Sequence, residues 1–221
     1  MADTRVTKKA NSIAEKAYKL LKDMILCGEI CQGEILSILA LSEKLGIGRT
    51  PMTTACHRLE YDGFVRVIPK QGVWVSSPSL NGALEIYECR ATIEIFFARK
   101  AMPVIDKSDL RALAASIERQ ETYGVKNDYA NYMKEDAFFH GCFMQKYKNN
   151  TMLEMYKSLT NKIRFYGVQN ISNDKRIKSA IQEHRRIVDF FSEKDETGLV
   201  RALEQHIMHG YLQLMGIYTI L

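Results

Sequence analysis

Apolar residues recur every three or four positions along most of this 221-residue chain, and residues suited to strands cluster in one short stretch. Ile13, Ala17, Leu20, Leu21, Met24 and Ile25 fall at helical spacing. Ser12 and Glu15 have the spacing of a capping box, Gly28 is placed to stop the helix, and residues 1–10 read as a polar tail. A second short helix is predicted over roughly Leu39 to Leu45, followed by a tight turn at Gly46-Ile47-Gly48. Thr50 is then expected to cap a third helix with Pro51 at its first position, where a missing N–H loses no hydrogen bond. Leu41, Leu45, Ile47, Met52, Ala55 and Leu59 give the second and third helices a shared apolar face, and Asp62-Gly63 ends the third.

Beyond it, Phe64–Ile68 and Val73–Ser76 are rich in β-branched and aromatic residues and flank the turn tetrapeptide Pro69-Lys70-Gln71-Gly72. Three helices and a small hairpin describe a winged helix-turn-helix over residues 1–77. Ser76-Ser77-Pro78-Ser79 is the natural linker. From Leu80 onward the helical period persists without a convincing strand. The predicted helices cover about 81–102, 108–123, 128–147, 151–169, 174–193 and 196–219. The expected fold is therefore mainly α, with an all-α bundle of six to seven helices filling residues 78–221.

Composition changes this picture little. The net charge of +5 is spread along the chain, with 11 Lys/Arg against 8 Asp/Glu in residues 1–78, a mild bias compatible with nucleic acid but not diagnostic of it. Five scattered cysteines, without a C-x-x-C pair, suit reduced thiols in a cytoplasmic protein. No apolar run is long enough to span a membrane, and the first residues do not read as a signal peptide.

The residues then match a family. Gly28-Glu29-Ile30, Gly33-Glu34-Ile35-Leu36, Leu41–Pro51, Arg58-Leu59-Glu60 and Asp62-Gly63 resemble the winged helix of the GntR family. The rest of the chain resembles the FadR-type ligand-binding domain (FCD) of that family, with Ile86–Glu94 as its signature helix. The resemblance implies a homodimeric, ligand-responsive transcription factor that binds operator DNA and is not an enzyme. It places Arg49 at the DNA-contacting position, where a guanidinium suits guanine or phosphate. Thr50, Thr53 and Thr54 can bond phosphates or offer methyls to thymine, and Lys70 and Gln71 flank the wing-tip Gly72. The plain alternatives are that Thr50 is only a cap and Lys70 only solvated. Arg58, later on the helix, suits a backbone contact or an internal salt bridge with Glu60 or Asp62 better than base reading. Leu39 and Thr53 stand where relatives usually carry basic residues, which implies weaker and less salt-steep DNA binding.

The sharpest chemical pattern lies in the second domain. Asp136 and His140 are four residues apart, on one face of one helix, while His184 and His206 lie on two later helices. On spacing alone such residues are more at home on solvated helix faces. The resemblance makes Asp136, His140, His184 and His206 the ligands of a divalent metal: zinc suits one carboxylate and three imidazoles, as do nickel, manganese and iron. His209, one turn on from His206, either supports the ligands or simply packs. Small organic acids are the effectors the resemblance implies. Arg90 and Arg164 are the candidate carboxylate partners, though Arg90 is equally placed to pair with Glu94. Two further readings stay open: a metal that is purely structural with no effector, and a metal-dependent hydrolase. The second lacks an obvious general base and leaves the winged helix unexplained.

Overall fold

The computed structural model describes residues 2–77, 79–168 and 174–216. The chain forms two compact units, Met1–Ser77 and Pro78–Leu221.

In the first unit the order is α1 (Ala2–Leu26), β1 (Ile35–Leu36), α2 (Ile38–Leu45), α3 (Arg49–Tyr61), β2 (Val65–Ile68) and β3 (Gly72–Val75). Helix α1 starts at Ala2, so the polar tail and the Ser12 capping box expected from sequence are replaced by continuous helix. Residues 2–11 hold neither Gly nor Pro to stop it. Its buried face is Ala14, Ala17, Leu21 and Ile25, whereas Ile13 and Leu20 remain 38% exposed. That face joins Leu41, Met52, Ala55, Leu59, Phe64, Val73 and Val75, all buried, in a small apolar core. Gly28 (φ +82°) turns the chain after α1. Ser37 caps α2, accepting a hydrogen bond from the Ala40 amide at 3.4 Å.

Sequence reasoning missed β1, whose two residues are too few to show a period. It pairs antiparallel with β3 (Ile35 with Trp74, Leu36 with Val73), while β2 pairs with the other edge of β3, giving the order β1-β3-β2. Gly72 makes this closure possible. Its φ is +126°, and a Cβ there would stand 2.5 Å from the Leu36 carbonyl oxygen.

The second unit consists of α4 (Leu80–Ala101), α5 (Lys107–Val125), α6 (Tyr129–Met144), α7 (Asn150–Val168), α8 (Asp174–Glu193) and α9 (Glu196–Leu214), with no strand among its described residues. The expected extension of the last helix to 219 stops short: Met215 is its C-cap, Gly216 turns away at φ +66°, and 217–219 lie outside the described residues. Asp106 opens α5 with a true capping box, accepting from the Ser108 and Asp109 amides while Asp109 accepts from its own. The core is dominated by rings and branched chains, among them Phe97, Phe139, Phe143, Phe191, Leu113, Ile187 and Leu199. All five cysteines are free. Among the described residues no helix is long and apolar enough to cross a membrane.

Gly72→Ala is expected to destabilise the first unit by about 1–3 kcal/mol, since the side chain must displace either its own backbone or strand β1. Trp74, the sole tryptophan, sits on β3 and reports the loss as a lower urea midpoint of fluorescence. An unchanged midpoint would contradict the close approach.

Candidate metal centre and recognition helix

Three rings converge in the second unit. His140 on α6, His184 on α8 and His206 on α9 are buried at 0%, 0% and 3% exposure. Their Nε2 atoms form a near-equilateral triangle with sides of 3.2, 3.2 and 3.3 Å. Asp136, one turn before His140, brings Oδ1 to 3.6 Å from His184 Nε2 and 3.9 Å from His140 Nε2. The four ligand atoms all lie within 4.8 Å of one another.

The outer nitrogen of every ring faces an acceptor. His140 Nδ1 is 2.7 Å from Glu94 Oε2, His184 Nδ1 is 2.9 Å from Gln120 Oε1, and His206 Nδ1 is 2.8 Å from Glu183 Oε2. For His184 and His206 those acceptors place a proton on Nδ1, so each Nε2 turns a bare lone pair towards the cluster, whereas His140 Nδ1 stands at ion-pair distance from Glu94 without a hydrogen bond. The acceptors are themselves fixed. Arg90 Nε donates to Glu94 Oε1 at 2.6 Å and the Tyr156 hydroxyl donates to the same oxygen at 2.9 Å. Arg176 Nη1 donates to Glu183 Oε2 at 2.8 Å, and Ser179 donates to Oε1 at 3.0 Å. His209 Nδ1 lies 2.8 Å from Glu183 Oε1, so this histidine supports the carboxylate behind His206. Phe139 stacks on His184, ring centroids 4.2 Å apart, and holds its plane.

At His184 and His206 the electrostatics agree with neutral rings. Burial, reinforced by the neighbouring His206 and His140, lowers the pKa of His184 well below the ordinary imidazole value. Burial also lowers His206, to about 4, despite the opposing Glu183. For Glu183 burial alone would raise the pKa, but His206 and the Arg176 guanidinium outweigh it and hold the carboxyl at about 2. For Glu94 the rise from burial is likewise overcome, chiefly by Arg90. The donor set therefore fits a divalent ion. Cis ligands at metal distances of about 2.0–2.1 Å stand roughly 2.9–3.4 Å apart, which is the edge length of the nitrogen triangle.

Beside the triangle lies a cavity of about 70 Å³, space for roughly five water molecules. Asp136, His206, Arg90 and Arg176 line it, with Tyr87 and Tyr132 opposite. Arg90 pairs with Glu94, one of the two roles that sequence left open, and it also lines the cavity. Arg164 is not among the residues lining this cavity, and the second guanidinium there is Arg176. Arg176 and the outer acceptors Glu94, Gln120 and Glu183 escaped sequence reasoning, because on paper they resemble solvated helix positions. For Glu183 alone there was a hint, its adjacency to His184.

In the first unit, α3 opens differently from expectation. Gly48, not Thr50, is the N-cap, and it offers no side-chain bond, so the first-turn amides of α3 are left facing outward. Arg49 is the first helical residue and is exposed, as is Thr50. Pro51 falls at the third position, where an N–H would still be unpaired. Thr53 and Thr54 donate their hydroxyls to the carbonyls of Arg49 and Thr50, at 2.9 and 3.1 Å. Lys70 adopts a left-handed φ of +63° at the wing tip, with Gln71 exposed beside it. Arg58 forms an internal salt bridge, with Glu15 of α1 rather than with Glu60 or Asp62, and lies 4.3 Å over the Tyr18 ring.

A winged helix followed by an all-helical unit built around a buried His/Asp cluster defines a class, the two-part DNA-binding transcriptional regulators. Residues 13–75 match the bacterial regulatory proteins of the gntR family and residues 85–209 match the FCD domain. The chain belongs to the FCD-containing branch of the GntR family. It is 24% identical over 193 residues to the uncharacterized HTH-type transcriptional regulator YdhC of Bacillus subtilis, covering 86% of this chain and 84% of that one. It is 21% identical to the HTH-type transcriptional repressor RspR of Escherichia coli, over 88% of this chain and 86% of that one. In fold it is similar to E. coli McbR/YncC (TM-score 0.78, 20% identity, 94% and 99% of the two chains). A GntR regulator from Rhodococcus sp. RHA1 is equally close (TM-score 0.80, 20% identity, 94% and 100%).

The neutral rings carry a pH signature. Between about 6.5, the ordinary value, and about 4, the unfolded chain binds protons at His184 and His206 that the fold refuses. Stability of the metal-free helical unit is therefore present above about pH 6.5 and is lost on acidification, by roughly 1.4 kcal/mol per pH unit per histidine. Thermal melts at pH 7.5 and 5.5 measure this; equal stability at the two would mean the rings titrate as if exposed.

Proposed function

We propose that this regulator holds a divalent metal through Asp136, His140, His184 and His206 and senses a small organic acid at that centre, acting on operator DNA as a homodimer. The observation that carries the reading is the triangle of bare Nε2 atoms. Three ring nitrogens converge on one point, those of His184 and His206 bared by a hydrogen bond on the far side of the ring, and such nitrogens repel unless a cation lies between them. Zinc suits the set, as do nickel, manganese and iron. A bound metal would supply a Lewis-acidic anchor for a carboxylate, and the adjoining cavity gives that anchor an open side. Arg90 and Arg176, which also line the cavity, would orient the acid.

In the winged helix, the uncapped start of α3 and the exposed Arg49 support groove entry by this helix, with Thr50, Thr53, Thr54 and the wing residues Lys70, Gln71 and Gly72 beside it. Arg58, committed to Glu15, serves the fold. With one free guanidinium at the front of α3, few phosphates are neutralised, and binding should depend only shallowly on salt. Acid binding would act by favouring one of two states that differ in operator affinity.

Purified protein should carry about one equivalent of metal per chain, and His140→Ala with His206→Ala should abolish it. Chelation that leaves the fold intact but removes the response of operator binding to acids supports sensing; collapse of the fold with no acid response at any stage would make the metal structural. Arg49→Ala should weaken specific operator binding by about 1–3 kcal/mol in a mobility-shift titration. Undiminished affinity would remove α3 from the role of reader.

A further inference from the structure

We infer that the outward face of α4 is the surface on which two copies of this chain pair, with the two helices antiparallel. The inference rests on the homodimer reading above and adds the face and the direction. Helix α4 has two opposite sides. Ala83, Tyr87, Arg90, Glu94 and Phe97 are buried and belong to the bundle interior. On the reverse side Glu85, Glu88, Thr92 and Arg99 are exposed at helical spacing, with the half-buried Ile95 and Phe96 between the last two. This stripe carries opposite charge at its two ends. Glu85 and Glu88 lie towards its start, and Arg99 and Lys100 at its end, all four exposed. Arg99 also reaches Glu196 at 3.2 Å, an exposed pair on the same surface, and Lys100 lies 5.9 Å over the Phe96 ring.

Such a stripe is its own complement when the helix is reversed. With Thr92 on a two-fold axis, Glu85 of one copy comes opposite Arg99 of the second, and Glu88 comes opposite Phe96, one turn from Lys100. Every contact then occurs twice. A parallel pairing would set like charges against each other, so the charges fix direction and register while apolar contact supplies the affinity. The middle of the stripe suits close approach. Thr92 donates its hydroxyl to the Glu88 carbonyl at 3.0 Å, which leaves no bare donor at the axis. Thr92, Ile95 and Phe96 border a shallow groove, and the apolar surface runs on over Tyr147, 38% exposed, whose ring meets Phe96 at 5.8 Å. Arg90 and Glu94, beside His140, stand on the other side of the same helix, so the pairing face and the histidine cluster share one rigid element.

The test is sedimentation velocity of the full chain and of two charge-reversed variants, Glu85→Lys with Glu88→Lys, and Arg99→Glu with Lys100→Glu. All four positions are exposed, so the exchanges leave the core untouched. Each variant alone sets like charges opposite one another and should dimerise roughly tenfold or more weakly than the unaltered chain. Mixed in equal amounts, the two variants regain opposite charges at both ends of the stripe, and a heterodimer of near-original affinity should form. Neither misfolding nor a general change of charge produces that recovery. Variants that each stay fully dimeric overturn the α4 face while leaving the homodimer reading in place. Variants that weaken without recovering on mixing overturn the antiparallel pairing. An unaltered chain that sediments as a monomer overturns this inference and the homodimer reading together.

Discussion

Three buried imidazoles converging on one point set the terms for the whole helical unit. Lone pairs in that arrangement need their rings held in one tautomer and one orientation, and each Nδ1 therefore has a dedicated acceptor. Those acceptors come from α4 (Glu94), α5 (Gln120) and α8 (Glu183). Two of them are carboxylates, Glu94 buried and Glu183 half-buried, that would be costly without counter-ions, so Arg90 and Arg176 are drawn inward, and Tyr156 of α7 adds a further donor. One chemical demand at the centre thereby engages all six helices. The apolar rings of Phe97, Phe139 and Phe191 fill what remains and keep the dielectric low.

The winged helix depends on a different constraint. Its core is small, and it is closed at the edge by polar contacts between α1 and α3. Tyr18 donates to Asp62 at 2.5 Å, Lys22 donates to Tyr18 at 2.8 Å, and Arg58 reaches Glu15. These contacts turn the second half of α3 into a foundation and leave Arg49 and Thr50 of its first turn exposed. The same division explains why the helix carries so little free positive charge. Of its two arginines, one belongs to the fold.

Much of this was legible in the sequence, and the gaps have physical reasons. Long amphipathic periods located the helices, because many residues vote for each. The metal candidates were legible because Asp136 and His140 share a helix face and the family frame supplied His184 and His206. What escaped was whatever depends on long-range partners. Strand β1 is two residues long and exists only because β3 offers an edge. Gly48 displaces Thr50 as the cap because the turn after Ile47, not side-chain propensity, decides where α3 begins. Arg176 enters the cavity and Arg164 does not, a difference that no periodicity in α7 or α8 announces. Glu94, Gln120 and Glu183 carry charge or polarity that reads as solvent-facing until the rings they hold are seen.

The two back-bonded threonines of α3 have a consequence for what the helix can say to a base. A hydroxyl whose only hydrogen is given to a carbonyl four residues back can still accept a bond, and it keeps its methyl. Thr53 and Thr54 therefore favour partners that donate or that are apolar: the amino groups of adenine and cytosine, and the methyl of thymine. Guanine shows the major groove two acceptors, and to meet it either threonine must break its internal bond, at about 0.5–1.5 kcal/mol. If α3 enters the groove as proposed, such a face would divide the alphabet between its residues: the threonines would decline guanine, and Arg49 alone would ask for it.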